Sequence, residues 1–417
     1  MLATVRERFL TALQYRDYRT LWMANVCAGA AAWALIVARG WLAFEITESS
    51  FWVGLVTFMA MAPRFFVTPV VGFLSDRFDR QTLLSSTYAL ELANNAALAF
   101  LTMAGLTTPW ILVLLSLING TLRASHTTTT QALVPNLVPR HHLLNAVALN
   151  EATQQGSRLV GPLAIAPLLG LVNVAAAFWL CSALYGVGLV LTLRIATRSR
   201  GDIDRSRSFG RNFVAGFVYV YQHPLVLAVV LLALGHCSLT MSYESMLPAI
   251  SQEKLEAGSV GVSLMIAGVG AGALTSAIFV AGVRNEAIRG WLFLAFGVSS
   301  GLGPIGMALS SSRELSMLAA VAMGVNQAGF MTITHAIIQS IVPDAIRGRV
   351  SGVYGVHVGG SMAVANLTNA SLADVFNAPI VMAVGGIIFT VAIVLSVSQV
   401  TVRRIYFPRA AASSPAA

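Results

Sequence analysis

Apolar residues gather along this chain in long runs broken by short polar turns. A bilayer-spanning helix needs about 20 mostly apolar residues. About twelve runs meet that length, at 19–43, 53–74, 82–104, 108–133, 146–170, 173–194, 224–247, 259–282, 289–310, 314–341, 350–373 and 378–400. No strand-type alternation is present. Helices are therefore the predicted way of satisfying backbone polar groups within lipid.

Composition agrees. Of 417 residues, 56% are hydrophobic and 10% charged, against about a quarter charged in soluble domains. The net charge of +9 comes from 25 arginines and one lysine, Lys254. Position explains this excess better than a nucleic-acid partner does, and none is expected. With the N-terminus inside, the inner segments hold twenty basic residues: Arg6, Arg8, Arg16, Arg19, Arg77, Arg80, Arg140, six from Arg194 to Arg211, Arg284, Arg289, Arg347, Arg349, Arg403, Arg404 and Arg409. The outer loops hold Lys254 and Arg313. That asymmetry predicts a multi-pass protein of the cytoplasmic (inner) membrane with both termini in the cytoplasm. Cys27, Cys181 and Cys237 all lie in apolar runs and read as small core residues, with no metal-ligand spacing. No cofactor is expected: there is no phosphate loop, and Gly268, Gly270 and Gly272 lie within an apolar run, as close helix packing requires. No cleavable leader is evident.

The longest interior polar stretch, about 195–213, lies near the midpoint. It suggests a bundle of six helices at 1–194, a cytoplasmic linker at 195–213, a second bundle at 214–402 and a tail at 403–417. Internal repetition supports two halves. Gln131-Ala132-Leu133-Val134-Pro135 matches Gln339-Ser340-Ile341-Val342-Pro343 at an offset of 208, with Asn119 on Gln327. Each copy is expected to end a helix at Val-Pro, form a basic turn and start another helix. Parallel repeats of this kind mark transporters, with a substrate site between the halves.

After the second run comes Gly72-Phe73-Leu74-Ser75-Asp76-Arg77-Phe78-Asp79-Arg80. Gly72 would permit close packing of helix against turn. Asp76 can face a helix N-terminus or an arginine, and Arg77 and Arg80 can face acids or lipid phosphates. Such a cluster can latch one conformation; equally, it can be a charged turn obeying only the positive-inside rule. This loop resembles the signature loop of the major facilitator superfamily, with Phe78-Asp79 departing from the usual Phe-Gly. Arg16 to Trp22, Trp41 to Ser49 with Gly54, Val134-Pro135 with Leu144-Asn145-Ala146 and Gly161-Pro162, and Ile341 to Val350 resemble the macrolide-efflux and enterobactin-exporter branch. The resemblance covers nearly the whole chain. It implies an all-α fold of about twelve transmembrane helices in two pseudo-symmetric bundles, acting as a drug:proton antiporter. Many members of that branch carry an acid midway along the first helix. Here the stretch is Gly29-Ala30-Ala31-Ala32-Trp33, so a proton carrier must sit elsewhere.

Ionisable residues within the bilayer are costly and mark functional candidates. Arg39, Arg64, Arg123 and Arg158 qualify, with the acids Glu91 and Glu151. The fourth run carries Asn119, Arg123, His126 and Thr130 on one stripe. The fifth carries Glu151, Gln154, Gln155 and Arg158 on another. Gln327, His335 and Asn366 occupy the tenth and eleventh runs, which the resemblance places beside the cavity. Two readings stand: a structural network clamping the fourth and fifth helices, or arginines contacting an anionic or polar substrate. Proton-coupling candidates are Glu91, Glu151 and the histidines His126, His236 and His335. Glu91 shares a face with Asn94 and Asn95 and can pair with an arginine of helix two or five. Glu244 reads as a rim charge. Gly161-Pro162 predicts a helix kink, which the resemblance links with export.

The chain is thus expected to be a secondary transporter, not an enzyme: a monomer that exports a small amphipathic molecule (a drug, siderophore or organic anion) against protons. The alternatives are an importer or facilitator of an anionic metabolite, and a non-transporting sensor or assembly subunit.

Overall fold

A computed structural model describes residues 11–199, 209–281, 283 and 285–407. Arg6, Arg8, Arg200, Asp202, Asp204, Arg205, Arg207, Arg284 and Arg409 lie outside the described residues, as do the side chains of Asp76 and Arg211. Among the described residues the chain is helical and has no strand. The helices are α1 (Arg16–Thr47), α2 (Ser50–Met61), α3 (Pro63–Arg77), α4 (Arg80–Met103), α5 (Pro109–Leu137), α6 (Leu143–Leu171) and α7 (Val174–Leu193). There follow α8 (Phe209–Gln222), α9 (Pro224–His236), α10 (Gly258–Ala281), α11 (Glu286–Leu309), α12 (Arg313–Ile341), α13 (Asp344–Phe376), α14 (Ala378–Ser396) and α15 (Val400–Tyr406).

Every predicted apolar run falls on helix. The second is divided into α2 and α3 where Pro63 opens a new helix. The seventh is regular only in α9; a π-helical turn at Cys237–Met241 and an irregular stretch follow it. Eight of these spans are long and apolar enough to cross a membrane by composition alone. The other four predicted runs are α4, α5, α6 and α13, helices of 24, 29, 29 and 33 residues whose apolar character is diluted by polar positions. The first three of these bear Glu91, Arg123, Glu151 and Arg158.

Helix ends follow local chemistry. Asp79, Thr108, Asn173, Asn285, Ser312 and Asn377 cap α4, α5, α7, α11, α12 and α14 by accepting backbone N–H bonds. The repeat is less symmetric than its sequence. Helix α12 stops at Ile341 and Pro343 precedes α13, as expected, but α5 runs through Pro135 to Leu137. A proline in the last turn removes only one N–H bond, so α5 can continue past it.

The packing of the backbone divides the chain into two compact units. Unit 1 is Met1–Glu48, Leu55–Arg205 and Val262–Ala267; unit 2 is Ser49–Gly54, Ser206–Gly261 and Gly268–Ala417. In unit 1, α1 packs along α6 and α7, α4 along α7, and α3 along α5. Gly161 sets the approach of α6 to α1. A Cβ there would stand 2.3 Å from the Ala30 carbonyl oxygen and 3.0 Å from the Ala34 nitrogen. The crossing of α6 on α1 is therefore backbone against backbone, as small residues permit within membranes. At Gly72, by contrast, a Cβ would meet nothing within 4 Å. The expected close packing of Gly72 against the turn is not found, because that face of α3 has no neighbour.

In unit 2, α11 packs on α12 and α14 around Phe293, Phe330, Phe389 and Tyr406. Helix α8, which spans the expected linker boundary at 213, lays Val220, Phe217 and Tyr219 on the core formed with α9 and α13 while Val218 and Tyr221 stay exposed. Asp374 on α13 caps the first turn of α2, accepting from Ser50 N–H at 2.7 Å, Phe51 N–H at 3.1 Å and Ser49 Oγ at 2.5 Å.

Candidate functional site

The polar stripes of unit 1 converge on one cavity of about 210 Å3. Helix α5 contributes Arg123, His126, Thr127, Thr130 and Gln131, at helical spacing along one face. Helix α6 adds Asn150, Glu151 and Gln154; α1 adds Asn25 and Gly29; α3 adds Arg64. Asn25 Nδ2 donates to Asn150 Oδ1 at 3.2 Å, and Trp22 Nε1 donates to Thr153 Oγ1 at 2.8 Å, so amide and hydroxyl groups tie α1 to α6 beside the opening.

Glu91 of α4 reaches this cavity although only 1% of it is exposed. Its Oε2 accepts from Asn119 Nδ2 at 2.8 Å and from Asn95 Nδ2 at 3.4 Å. Its Oε1 has no hydrogen-bond partner. Arg39 of α1 donates from Nη2 to Asn95 Oδ1 at 2.9 Å, and its Nε and Nη1 are buried without a bond. The positive charges acting on Glu91 are those of Arg39 and Arg123. The expected partner was an arginine of the second or fifth run; the charges come instead from Arg39 on the first run (α1) and Arg123 on the fourth (α5). Asn119 thus serves Glu91, while Arg123 lies deeper along the same stripe.

Trp33 was not expected to take part. Arg158 stacks on its ring with the guanidinium carbon 4.7 Å from the centroid, and the Arg123 carbon lies 5.9 Å away. A guanidinium over an indole face is attracted by the ring, the more so where water is excluded. The expected clamp of the fourth and fifth helices is therefore made through the first, and Arg158 is 7% exposed and lies off the cavity wall. A sequence signal for Trp33 does exist. Asn25, Gly29 and Trp33 follow one another at steps of four and share a face. His126 is held by Tyr88, with Nε2 and the hydroxyl 3.0 Å apart and the rings edge to face.

The candidates of the second half lie elsewhere. His236 is fully buried between Phe330 and Phe389, with Nδ1 2.8 Å from Thr240 Oγ1. Gln327 is 1% exposed and donates to the Thr240 carbonyl at 2.8 Å. Asn366 is fully buried and faces Ser245. Asn369 donates to the Ser238 and Ser242 carbonyls. These amides satisfy backbone groups that the irregular stretch after α9 leaves unbonded, a demand that only the break creates. His335 is exposed and meets Tyr354 edge to face. Glu244, expected at the rim, is 7% exposed.

The loop after α3 does something the motif alone did not indicate. Arg80 donates to the carbonyls of Ser75 at 3.1 Å and Ala132 at 2.9 Å and to Ser199 Oγ at 3.3 Å. Asp79 accepts from Ser199 N–H at 3.0 Å and from Arg198 at 3.2 Å. Asp17 accepts from Thr197 N–H and Oγ1 at 2.8 and 2.6 Å. Residues 195–199, expected as the start of the linker, are thus sewn onto unit 1. Burial raises the pKa of Asp79, but bonds from the Thr82 and Ser199 amides, the Thr82 hydroxyl and Arg198 outweigh it and bring the carboxyl below its ordinary value. Arg77 is exposed.

The all-α fold, the apolar spans and the charged interior cavity define a multi-pass membrane transporter. The model of the transmembrane secretion effector family matches residues 9–413. The chain belongs to that family, within the major facilitator superfamily. It is 22% identical to macrolide efflux protein A of Streptococcus pyogenes over 86% of this chain and 89% of that protein. It is 25% identical to the enterobactin exporter EntS of Citrobacter koseri over 74% of each. Among solved structures, the nucleoside transporter NupG superposes with a TM-score of 0.70 at 12% identity, over 91% of this chain and 98% of that one. At that identity the likeness concerns the fold.

Proposed function

We propose that this protein is a proton-coupled exporter of a small amphipathic molecule, working as a monomer in the inner membrane by alternating access, with both termini in the cytoplasm. One observation carries the coupling: Glu91 stands on the cavity wall with one carboxylate oxygen bonded by Asn119 and the other unbonded. Protonation would remove the negative charge that faces Arg39 and Arg123. Substrate and proton then bias the same cluster, which is the differential interaction that coupling requires. Efflux is the activity in the names of the macrolide and enterobactin relatives, and it supports the direction.

The test uses inside-out vesicles with erythromycin, a catecholate siderophore and citrate as cargoes. Imposing a proton gradient should drive accumulation of at least one in the wild type. Glu91→Gln should abolish that accumulation while leaving gradient-free exchange. Undiminished accumulation by Glu91→Gln removes Glu91 from coupling; no accumulation of any cargo by the wild type sinks the export reading for them. The surplus of arginine over acid favours a second reading, a facilitator of an anionic metabolite. It would show as citrate equilibrating without a gradient.

A further inference from the structure

We infer that Arg64 and Arg123 form a subsite for the anionic group of the cargo, so that the transported molecule is an organic anion with a compact carboxylate-like end. This deepens the export reading and rests on it for the word cargo. One cavity brings the charges together. Four charged side chains line it: Arg64, Arg123, Glu91 and Glu151. Glu91 is already bonded to Asn119 and Asn95 and is faced by Arg39 from behind as well as by Arg123. Arg158, the fourth intramembrane arginine, is taken up by the Trp33 ring and does not reach the cavity. Arg64 is left in a different condition. Its side chain is exposed on the cavity wall, and Arg123 lines the same space. No ion pair joins Glu151 to either arginine among the described residues.

Two guanidinium groups that face one space and repel each other are stabilised by an anion between them. Planar bidentate donors suit carboxylate and phosphate in particular. His126 faces the same space but is bonded to the Tyr88 hydroxyl, and Asn25, Asn150 and Gln154 supply neutral donors and acceptors around the anion. The cavity, at about 210 Å3, is smaller than the 300–1,000 Å3 or so of a drug-sized site. It fits one charged end of a larger molecule, or a small aromatic acid whole.

Benzoate and its neutral isostere benzamide serve as probes, titrated by calorimetry into purified full-length protein at neutral pH. Benzoate should bind, and benzamide should bind about ten- to a hundredfold more weakly, the range expected when one charged hydrogen-bonded pair is lost. Arg64→Gln and Arg123→Gln should each weaken benzoate by a similar factor. Arg64→Lys, which keeps the charge but loses the bidentate fork, should bind benzoate more weakly than the wild type and more tightly than Arg64→Gln, and Arg140→Gln in the cytoplasmic turn should change nothing. Equal binding of the two probes, no binding of benzoate, or benzoate binding indifferent to Arg64→Gln and Arg123→Gln would each overturn the subsite. The readout is independent of transport. Proton-driven export of a neutral cargo with no benzoate binding overturns the subsite alone. Arginine-dependent benzoate binding in a protein that moves nothing against protons overturns the export reading alone.

Discussion

Gly161 and Gly156 lie on the same helix yet face opposite demands. A methyl group on Gly161 would strike the α1 backbone, whereas one on Gly156 would meet nothing within 4 Å. Gly161→Ala should therefore destabilise the protein by about 1–3 kcal/mol, the usual cost of overpacking. Gly156→Ala should be neutral or stabilising by up to about 1 kcal/mol through helix propensity. Thermal melting of the two variants side by side reads the difference; equal melting points would show that the α1–α6 crossing tolerates separation. The sequence marks Gly161-Pro162 as a kink, but the close approach to Ala30 depends on which helix lies opposite. The same holds for Glu91. Its intramembrane position and its neighbour Asn95, one turn on, show in the sequence, while Asn119 and the facing Arg39 lie on two other helices and become neighbours only on folding.

Elements are held by short-range bonds whose loss is local. Asp374 caps the first turn of α2 through three donors. Asp374→Ala should cost about 1 kcal/mol, as for other N-caps, and should speed hydrogen exchange at Ser50 and Phe51 specifically. Unchanged exchange there would mean that water replaces the cap without loss. The strap at residues 195–199 responds to pH through Asp79. Because the folded carboxyl titrates below its ordinary value, its contribution is complete at neutral pH and disappears as pH falls through that lowered value. Hydrogen exchange at Ser199 should accelerate only in acid for the wild type and at neutral pH for Asp79→Asn. Phe78-Asp79 reads as a departure in the loop motif. Its use as both helix cap and strap anchor could not be seen without knowing where Ser199 returns.

At the scale of the molecule, the uneven distribution of arginine carries the orientation. With cysteines removed from the background, Leu106→Cys in the loop after α4 should react with a membrane-impermeant maleimide in intact cells. His141→Cys, in the turn before α6, should react only in inside-out vesicles. Both side chains are exposed. Reversal of that pattern would overturn the inside placement of the termini. The apolar runs fall on helix in the fold, even where α4, α5, α6 and α13 are too polar to pass on composition alone. Of their charged residues, Glu91 and Arg158 are buried, and Arg123 and Glu151 line the cavity.

Length of apolar runs and helix type follow from the chain itself. Each depends on transfer of local segments from water to lipid, and that free energy is summed over neighbouring residues. Which arginine is satisfied and which is left facing open space was decided by tertiary structure. Arg39, Arg64, Arg123 and Arg158 are alike in sequence as cations within apolar runs. Folding gives Arg39 an amide and a nearby carboxylate and Arg158 an indole ring, and leaves Arg64 exposed on the wall of the cavity that Arg123 also lines. Electrostatic partnership at a few ångströms depends on contacts between helices far apart in the chain, and periodicity along one helix carries no information about them.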